Sequence, residues 1–258
     1  MDFTGRVAVV TGASMGVGRR IALDLARAGA IVVGAARRPE PLAEVEAELR
    51  AVSAASWTRP LDVADEAAAR ALIDDAAGRH GRLDVVVCNA AILGRRPATE
   101  IDPAFVREVM DVNLFGTTNC VLPAIPHMVG RGEGWIVGLT SGSGKSPLPG
   151  ESVYSASKAG MHAFLEAISY ELAPKGVRVK VLSPGFVSET TMAHDAVETG
   201  LSVPPKLVHR TPEQVSRALL RGLDRAGFEI NLTRLENVAV VTRALLPAIY
   251  RRSIARRA

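Results

Sequence analysis

Aromatic residues are scarce in this chain, with Phe, Trp and Tyr together making up 4 % of 258 residues. Ala, Val, Leu and Gly are plentiful instead, a composition suited to close packing of helices onto a parallel sheet. There are two cysteines, Cys88 and Cys120, both in apolar segments, with no C-x-x-C partner and no histidine at ligand spacing. That excludes a disulfide scaffold and a cysteine-based metal site, and both are expected to be reduced core thiols. No apolar run approaches the roughly 18 residues of a membrane span. No basic run is interleaved with aromatics, so the net charge of +4 does not indicate nucleic acid. The one local excess is at the end, in Arg251, Arg252, Arg256 and Arg257. The N-terminal residues hold Asp2 and Arg6 and no signal-type apolar stretch, so a cytoplasmic location is expected. Asn231-Leu232-Thr233 is a glycosylation pattern without an export signal and carries no weight.

What is present is 48 % hydrophobic and strongly periodic. Short β-branched runs at Arg6–Val10, Ile31–Ala35, Ser56–Pro60, Asp84–Cys88, Trp135–Leu139 and Val177–Leu182 read as strands. Between them, Gly16–Ala28, Pro41–Ser53, Ala64–Arg79, a long stretch from Pro103 to Val129, and Val153–Ala173 read as helices. Pro212–Ala226 follows, and then Val238–Ile254, interrupted at Pro247. Alternation of this kind means right-handed βαβ units on one parallel sheet. The expected fold is α/β: a doubly wound, three-layer α/β/α Rossmann domain covering residues 1–258. The Pro- and Gly-rich connection over 186–211 follows a strand's carboxyl end, where ligands of such sheets bind, and is expected to be a substrate lid. Its Met192, Leu201, Val203, Leu207 and Val208 suggest an apolar substrate. Residues 232–258 form an amphipathic extension in which Val238, Val241, Leu245 and Ile249 make an apolar stripe. Packing on its own domain or on a second copy is the favoured role for this stripe, ahead of contact with a membrane surface.

The turn between the first strand and first helix reads Thr11-Gly12-Ala13-Ser14-Met15-Gly16-Val17-Gly18. Gly12 permits a backbone conformation that other residues resist, Gly16 lets the chain approach a pyrophosphate, and Gly18 allows tight helix–strand packing. The free N–H groups at the helix start favour a phosphate. After the second strand, an NAD enzyme usually places a carboxylate for the ribose hydroxyls. This chain has Gly34-Ala35-Ala36-Arg37-Arg38, with two guanidinium groups for a 2′-phosphate, so NADP(H) is preferred over NAD(H). Gly144-Lys145-Ser146 resembles the end of a P-loop, but Leu139 stands where the first glycine is required. Nucleotide hydrolysis is thereby excluded.

Tyr154 and Lys158 lie on one face of a predicted helix. A phenol is a poor acid or base at neutral pH, and a neighbouring ammonium is expected to lower its pKa into a useful range. Ser141, at the end of a buried strand, is placed to hydrogen-bond the substrate oxygen.

Taken in order, Thr11-Gly12-x-x-x-Gly16-x-Gly18, Asp62-Val63, Asn89-Ala90-Ala91, Asn113, Ser141, Tyr154-x-x-x-Lys158 and Pro184-Gly185 resemble the short-chain dehydrogenase/reductase family, from about Phe3 to Met192. The resemblance implies that Tyr154 is the acid/base and that Lys158 tunes it and binds the nicotinamide ribose. It further implies that Ser141 orients the carbonyl and Asn113 holds a water in a proton relay. Asp62 and Val63 would flank the adenine, and Asn89, Ala90 and Ala91 would line the cofactor cleft. Ser14, Met15, Val17, Val112, Val187 and Thr190 would complete it. Three positions depart from the family: Ala91 replaces a usual glycine, Met15 stands where NADP enzymes often carry a cation, and Glu189 precedes Thr190. The C-terminal fifth resembles the family least, and its tail looks more like those of relatives acting on lipid-like substrates.

The leading expectation is a metal-independent carbonyl reductase or alcohol dehydrogenase on a small, apolar substrate. A 3-oxoacyl-thioester reductase is the runner-up. A non-catalytic NADP-binding sensor and a structural interaction protein are the remaining classes, and the intact Asn113, Ser141, Tyr154 and Lys158 set argues against a sensor. A homodimer or homotetramer is expected by family likeness.

Overall fold

The computed structural model describes residues 2–199, 209–232 and 234–255. The first half runs β1 (Val7–Thr11), α1 (Gly16–Arg27), β2 (Ile31–Ala36), α2 (Pro39–Val52), β3 (Trp57–Pro60), α3 (Glu66–His80) and β4 (Val85–Cys88). It continues through α4 (Pro103–Met110), a π-helical turn (Asp111–Phe115), α5 (Gly116–Arg131), β5 (Gly134–Leu139), the short α6 (Gly142–Lys145), α7 (Ser152–Leu172) and β6 (Val177–Ser183). The last part holds β7 (Phe186–Val187), α8 (Thr191–Glu198), β8 (His209–Arg210), α9 (Pro212–Gly222), β9 (Glu229–Asn231), α10 (Arg234–Leu245) and α11 (Pro247–Ala255).

Seven strands form one parallel sheet in the order β3-β2-β1-β4-β5-β6-β9. Strand order reverses between β1 and β4, and a crevice opens at their carboxyl ends. Alternation along β1 shows how the layers are made. Val7 and Val9 pack toward α3, α5 and α7, among Leu72, Cys120, Met128, Met161 and Leu165. Ala8 and Val10 pack toward α1, α2 and α9, among Ile21, Leu25, Leu49, Val215 and Leu219. A strand covered on both faces is therefore apolar throughout, as the sequence of β1 is.

The predicted helix from Pro103 to Val129 is present but not continuous. At Asp111–Phe115 the backbone widens into a π turn, a distortion that is frequent at functional sites. Gly116 follows, in a position where a Cβ would lie 2.5 Å from Val63 Cγ2. Two segments without an assigned element in the sequence are ordered here. Within the expected lid, α8 begins at Thr190, whose hydroxyl accepts from the Ala193 N–H, and β7 pairs with β8 in a separate two-stranded sheet. The seventh strand, β9, adds only three residues beside β6. The helix expected to reach Ala226 stops at Gly222. The C-terminal helix breaks before Pro247 as expected. Lid residues Leu201, Val203, Leu207 and Val208 lie outside the described residues.

Candidate active site

The glycine turn is shaped by contacts that leave no room for side chains. A Cβ on Gly18 would stand 2.2 Å from the Gly12 carbonyl oxygen, and one on Gly12 would stand 2.6 Å from Asn89 Nδ2. Gly12 also sits at φ +65°, in the left-handed region. Asn89 holds the turn from across the sheet: its Nδ2 donates to the carbonyls of Thr11 (3.0 Å) and Gly12 (3.2 Å). Thr11 Oγ1 in return accepts the N–H groups of Asn89 and Ala90, each at 3.1 Å. Asn89 thus supports the cleft through the glycine turn. Thr11, whose side chain was given no role from the sequence, ties the ends of β1 and β4. Ala91 is accommodated without strain, since no non-glycine residue among those described takes a positive φ.

Helix α1 starts at Met15 with no side-chain cap and no acidic residue in its first turn. An uncapped helix start above a glycine turn is suited to a phosphate. Ser14 is buried beside it and Val17 is half-buried. Arg37 and Arg38 follow β2, both exposed, and neither meets a carboxylate among the described residues. Arg38 folds back so that its Nη2 lies 3.5 Å from Met15 Sδ. A guanidinium therefore reaches the site where many NADP enzymes carry a cation on the turn itself. These donors fit a dinucleotide phosphate, and no acidic group stands among them. Asp62 is exposed and accepts from the Ala64 N–H (3.0 Å), and Val63 packs under Gly116. Val112 is buried in the π turn, Pro184 and Gly185 leave β6 for the same crevice, and Val187 is buried in β7. Thr190 lies against the turn, 3.3 Å from where a Gly16 Cβ would be. Its hydroxyl donates to the Val187 carbonyl (2.9 Å) as well as capping α8, so it is engaged within the protein.

Tyr154, Lys158 and Ser141 come together at the carboxyl end of β5. Ser141 sits two residues beyond the strand, as the N-cap of α6, where its Oγ accepts from the Ser143 N–H (3.2 Å). Its hydroxyl lies near enough to the Tyr154 phenol to act against the rise in its pKa. Lys158 is buried with its Nζ 5.9 Å from the centre of the Tyr154 ring. The ammonium donates to the Leu139 carbonyl (2.8 Å) and not to the phenol. The expected lowering of the phenol pKa is not found: burial pushes Tyr154 up to about 12, against the lowering effect of the Ser141 hydroxyl and with an added push from Glu151. Burial also brings Lys158 down to about 8. Sequence spacing put both side chains on one face but said nothing about where the long lysine chain would end.

Asn113 is fully buried in the π turn, and its amide is taken up by protein. Nδ2 donates to the Ile92 carbonyl (2.9 Å) and Ser157 Oγ (3.0 Å), and Oδ1 accepts from the Ile92 N–H (2.8 Å). It pins the segment after β4 to α7, because Ser157 Oγ also donates to the Tyr154 carbonyl (2.7 Å). Three side chains near the phenol had no assigned role from sequence. Glu151 is buried three residues before Tyr154 and accepts from Ser143 Oγ (2.7 Å). Burial raises its pKa. Arg95 Nε stands 3.8 Å from Glu151 Oε1, while Nη2 donates to the Pro149 carbonyl (3.1 Å) and Nη1 reaches the carbonyls of Ala196 and Thr199 on α8.

A parallel doubly wound sheet whose switch-point crevice carries a glycine turn on one side and a Ser-Tyr-Lys group on the other defines a nicotinamide-dependent oxidoreductase class. The family model described as short chain dehydrogenase matches residues 6–200. The ketoacyl reductase HetN of Nostoc sp. is 31 % identical over 243 residues, covering 94 % of this chain and 84 % of HetN. Among solved structures, a metagenomic short-chain oxidoreductase in complex with NADP superposes with TM-score 0.75 at 28 % identity, covering 90 % of this chain and 97 % of that one. A short-chain dehydrogenase from Mycobacterium paratuberculosis bound to NAD gives 0.79 at 26 % identity, again covering 90 % and 97 %. The chain belongs to the short-chain dehydrogenase/reductase family and is an NAD(P)-dependent oxidoreductase. No helix among the described residues is long and apolar enough to cross a membrane.

Proposed function

We propose that this enzyme is an NADP(H)-dependent carbonyl reductase of small apolar ketones or aldehydes, with Tyr154 as proton donor. The observation that carries the reading is the buried Tyr154 phenol with the Lys158 ammonium 5.9 Å from its ring centre and Ser141 beside it at the carboxyl end of β5. Bound NADPH supplies the hydride. Ser141 and Tyr154 share the substrate oxygen, Ser141 donating a hydrogen bond to it and Tyr154 giving up its proton as negative charge develops there. A phenol near 12 is protonated at neutral pH, the form in which it can give up a proton to the substrate oxygen. Lys158 holds a positive charge within reach of the phenol ring and stabilises the phenolate as it forms.

Arg37 and Arg38 support the choice of NADP(H), because two exposed guanidinium groups suit a 2′-phosphate and no carboxylate takes the place of the ribose ligand. Lys158 and the Asn89-supported turn would hold the dinucleotide, with Ser14, Met15, Val17, Asp62, Val63, Ala90, Ala91, Val112, Pro184, Gly185, Val187 and Thr190 around it. Residues 186–211 act as the substrate lid, with Arg95 bracing α8 from the opposite wall. The likeness to HetN favours a second reading, reduction of a 3-oxoacyl thioester. Exposed Phe115 at the end of the π turn, Leu122 on α5 and Tyr170 on α7 would give a surface for a homo-oligomer. Purified enzyme is tested with NADPH and NADH against ketones, aldehydes and 3-oxoacyl thioesters. NADPH oxidation on a simple ketone or aldehyde supports the reading, exclusive use of thioesters selects the second one, and a preference for NADH overturns the cofactor assignment.

A further inference from the structure

The α10–α11 pair exposes apolar side chains that the domain does not use. Val238, Val241 and Leu245 recur at helical spacing along one side of α10, and Leu246 and Ile249 continue through the break into α11. All five are more than half exposed, Leu245 at 73 %. On the far side of α10, Arg243 donates to the Lys145 carbonyl of α6, which fixes the helix to the body with the apolar row facing outward. The expectation that this stripe packs on its own domain is therefore corrected: the half-buried residues of α10 are Ala239, Val240 and Thr242, on the side away from the row.

The segment that carries the row is predominantly basic. From residue 234 onward the chain has six arginines, at 234, 243, 251, 252, 256 and 257, against a single acid, Glu236. Arg251 and Arg252 are exposed on α11. A second copy seated symmetrically on this face would bring two arginine-rich helices together, and like charges across an interface are unfavourable. Neither helix has the length or hydropathy to span a bilayer. Apolar residues on one side with arginines flanking them are the pattern of a helix lying in a lipid interface, held by apolar burial and by attraction to anionic headgroups.

We propose that α10 and α11 dock this enzyme peripherally on an anionic lipid surface, with Val238, Val241, Leu245 and Ile249 entering the headgroup–acyl boundary and Arg251 and Arg252 meeting lipid phosphates. The proposal is independent of the substrate and cofactor assignments, because binding is read without turnover.

The test is co-sedimentation of the full chain with vesicles of phosphatidylcholine alone and with vesicles in which phosphatidylglycerol is one lipid in three. Partitioning onto the anionic vesicles should exceed that onto neutral ones by tenfold or more and should fall as salt is raised. The pair Leu245→Glu with Ile249→Glu should lose at least tenfold while keeping the far-UV circular dichroism and melting temperature of the parent. Arg251→Gln with Arg252→Gln, which leaves the apolar row intact, should weaken binding by about twenty-fivefold, at roughly fivefold for each arginine. Equal partitioning onto both vesicle types, or none onto either, overturns the proposal. So does a sedimentation-velocity dimer that Leu245→Glu with Ile249→Glu dissociates, since the row would then belong to a second copy.

Discussion

The two ends of the parallel sheet treat buried charge in opposite ways. At the amino end, Asp84 is completely buried and richly partnered. Its Oδ2 accepts the Val7 N–H (2.8 Å) and Arg82 Nε (2.7 Å), its Oδ1 accepts Arg82 Nη2 (2.6 Å), and Arg6 Nη1 lies 3.7 Å away. The guanidinium groups of Arg6 and Arg178 cover Trp135 at 4.8 and 5.2 Å from its ring centre. At the carboxyl end, Lys158 is as deeply buried, yet its ammonium has a single carbonyl and the Met161 sulfur for company. Charge at the amino end is compensated and serves stability. Charge at the carboxyl end is left under-compensated, ready for a ligand to complete.

Exchanging the buried charge at each end separates the two roles. Lys158→Met should lower kcat/KM for carbonyl reduction by about a thousandfold, the scale of acid–base catalysis. Its thermal stability at neutral pH should match or exceed the parent's, because a charged group whose pKa is depressed by burial disfavours the native state below that pKa. Any stability advantage of Lys158→Met should shrink as pH rises from about 8 toward 10.5, where the native lysine is already neutral while the unfolded one still binds its proton. Reductase turnover by the parent should fall through the same lower limit, as Lys158 loses its charge with Tyr154 still protonated. Asp84→Asn should do the reverse, costing about 3 kcal/mol in a denaturation experiment by breaking a buried ion pair, with kcat unchanged. A large loss of turnover in Asp84→Asn would break the comparison. The smallest effect concerns the exposed edge of the crevice: Arg37→Gln with Arg38→Gln should raise KM for NADPH about thirtyfold, at roughly 1 kcal/mol for each charged contact, and leave KM for NADH unchanged.

Much of the crevice was legible in the sequence because its signals are local. The glycine turn, the β-branched runs of β1, β2 and β4, and the Tyr154–Lys158 spacing are each contained in a short stretch of chain, and the structure places them within a residue or two of expectation. Where partners are distant in the chain, the reading stopped short. The π turn keeps a helical pattern of side chains, so Pro103–Val129 read as continuous, and only Asn113 meeting Ile92 and Gly116 meeting Val63 show why it widens. Glu151 and Ser143 are eight residues apart, and Arg95 lies in another loop altogether. Nothing in their spacing announces a cluster. Helix α8 was hidden in a segment dominated by Pro and Gly on either side, and β9 is too short to show a period. The phenol pKa was misjudged for a related reason: a four-residue spacing fixes which face a side chain leaves, while burial and the reach of Lys158 toward Leu139 are tertiary facts.

The most direct test of the account follows the hydrogen itself. NADPH carrying deuterium at both positions of nicotinamide C4 is supplied with whichever ketone or aldehyde the enzyme reduces, in ordinary water, and the alcohol is examined by mass spectrometry and NMR. One deuterium is expected on the carbinol carbon, with the hydroxyl proton drawn from solvent through Tyr154. An alcohol without deuterium at that carbon, or tight NADPH binding with no reduction of any carbonyl compound, would contradict it.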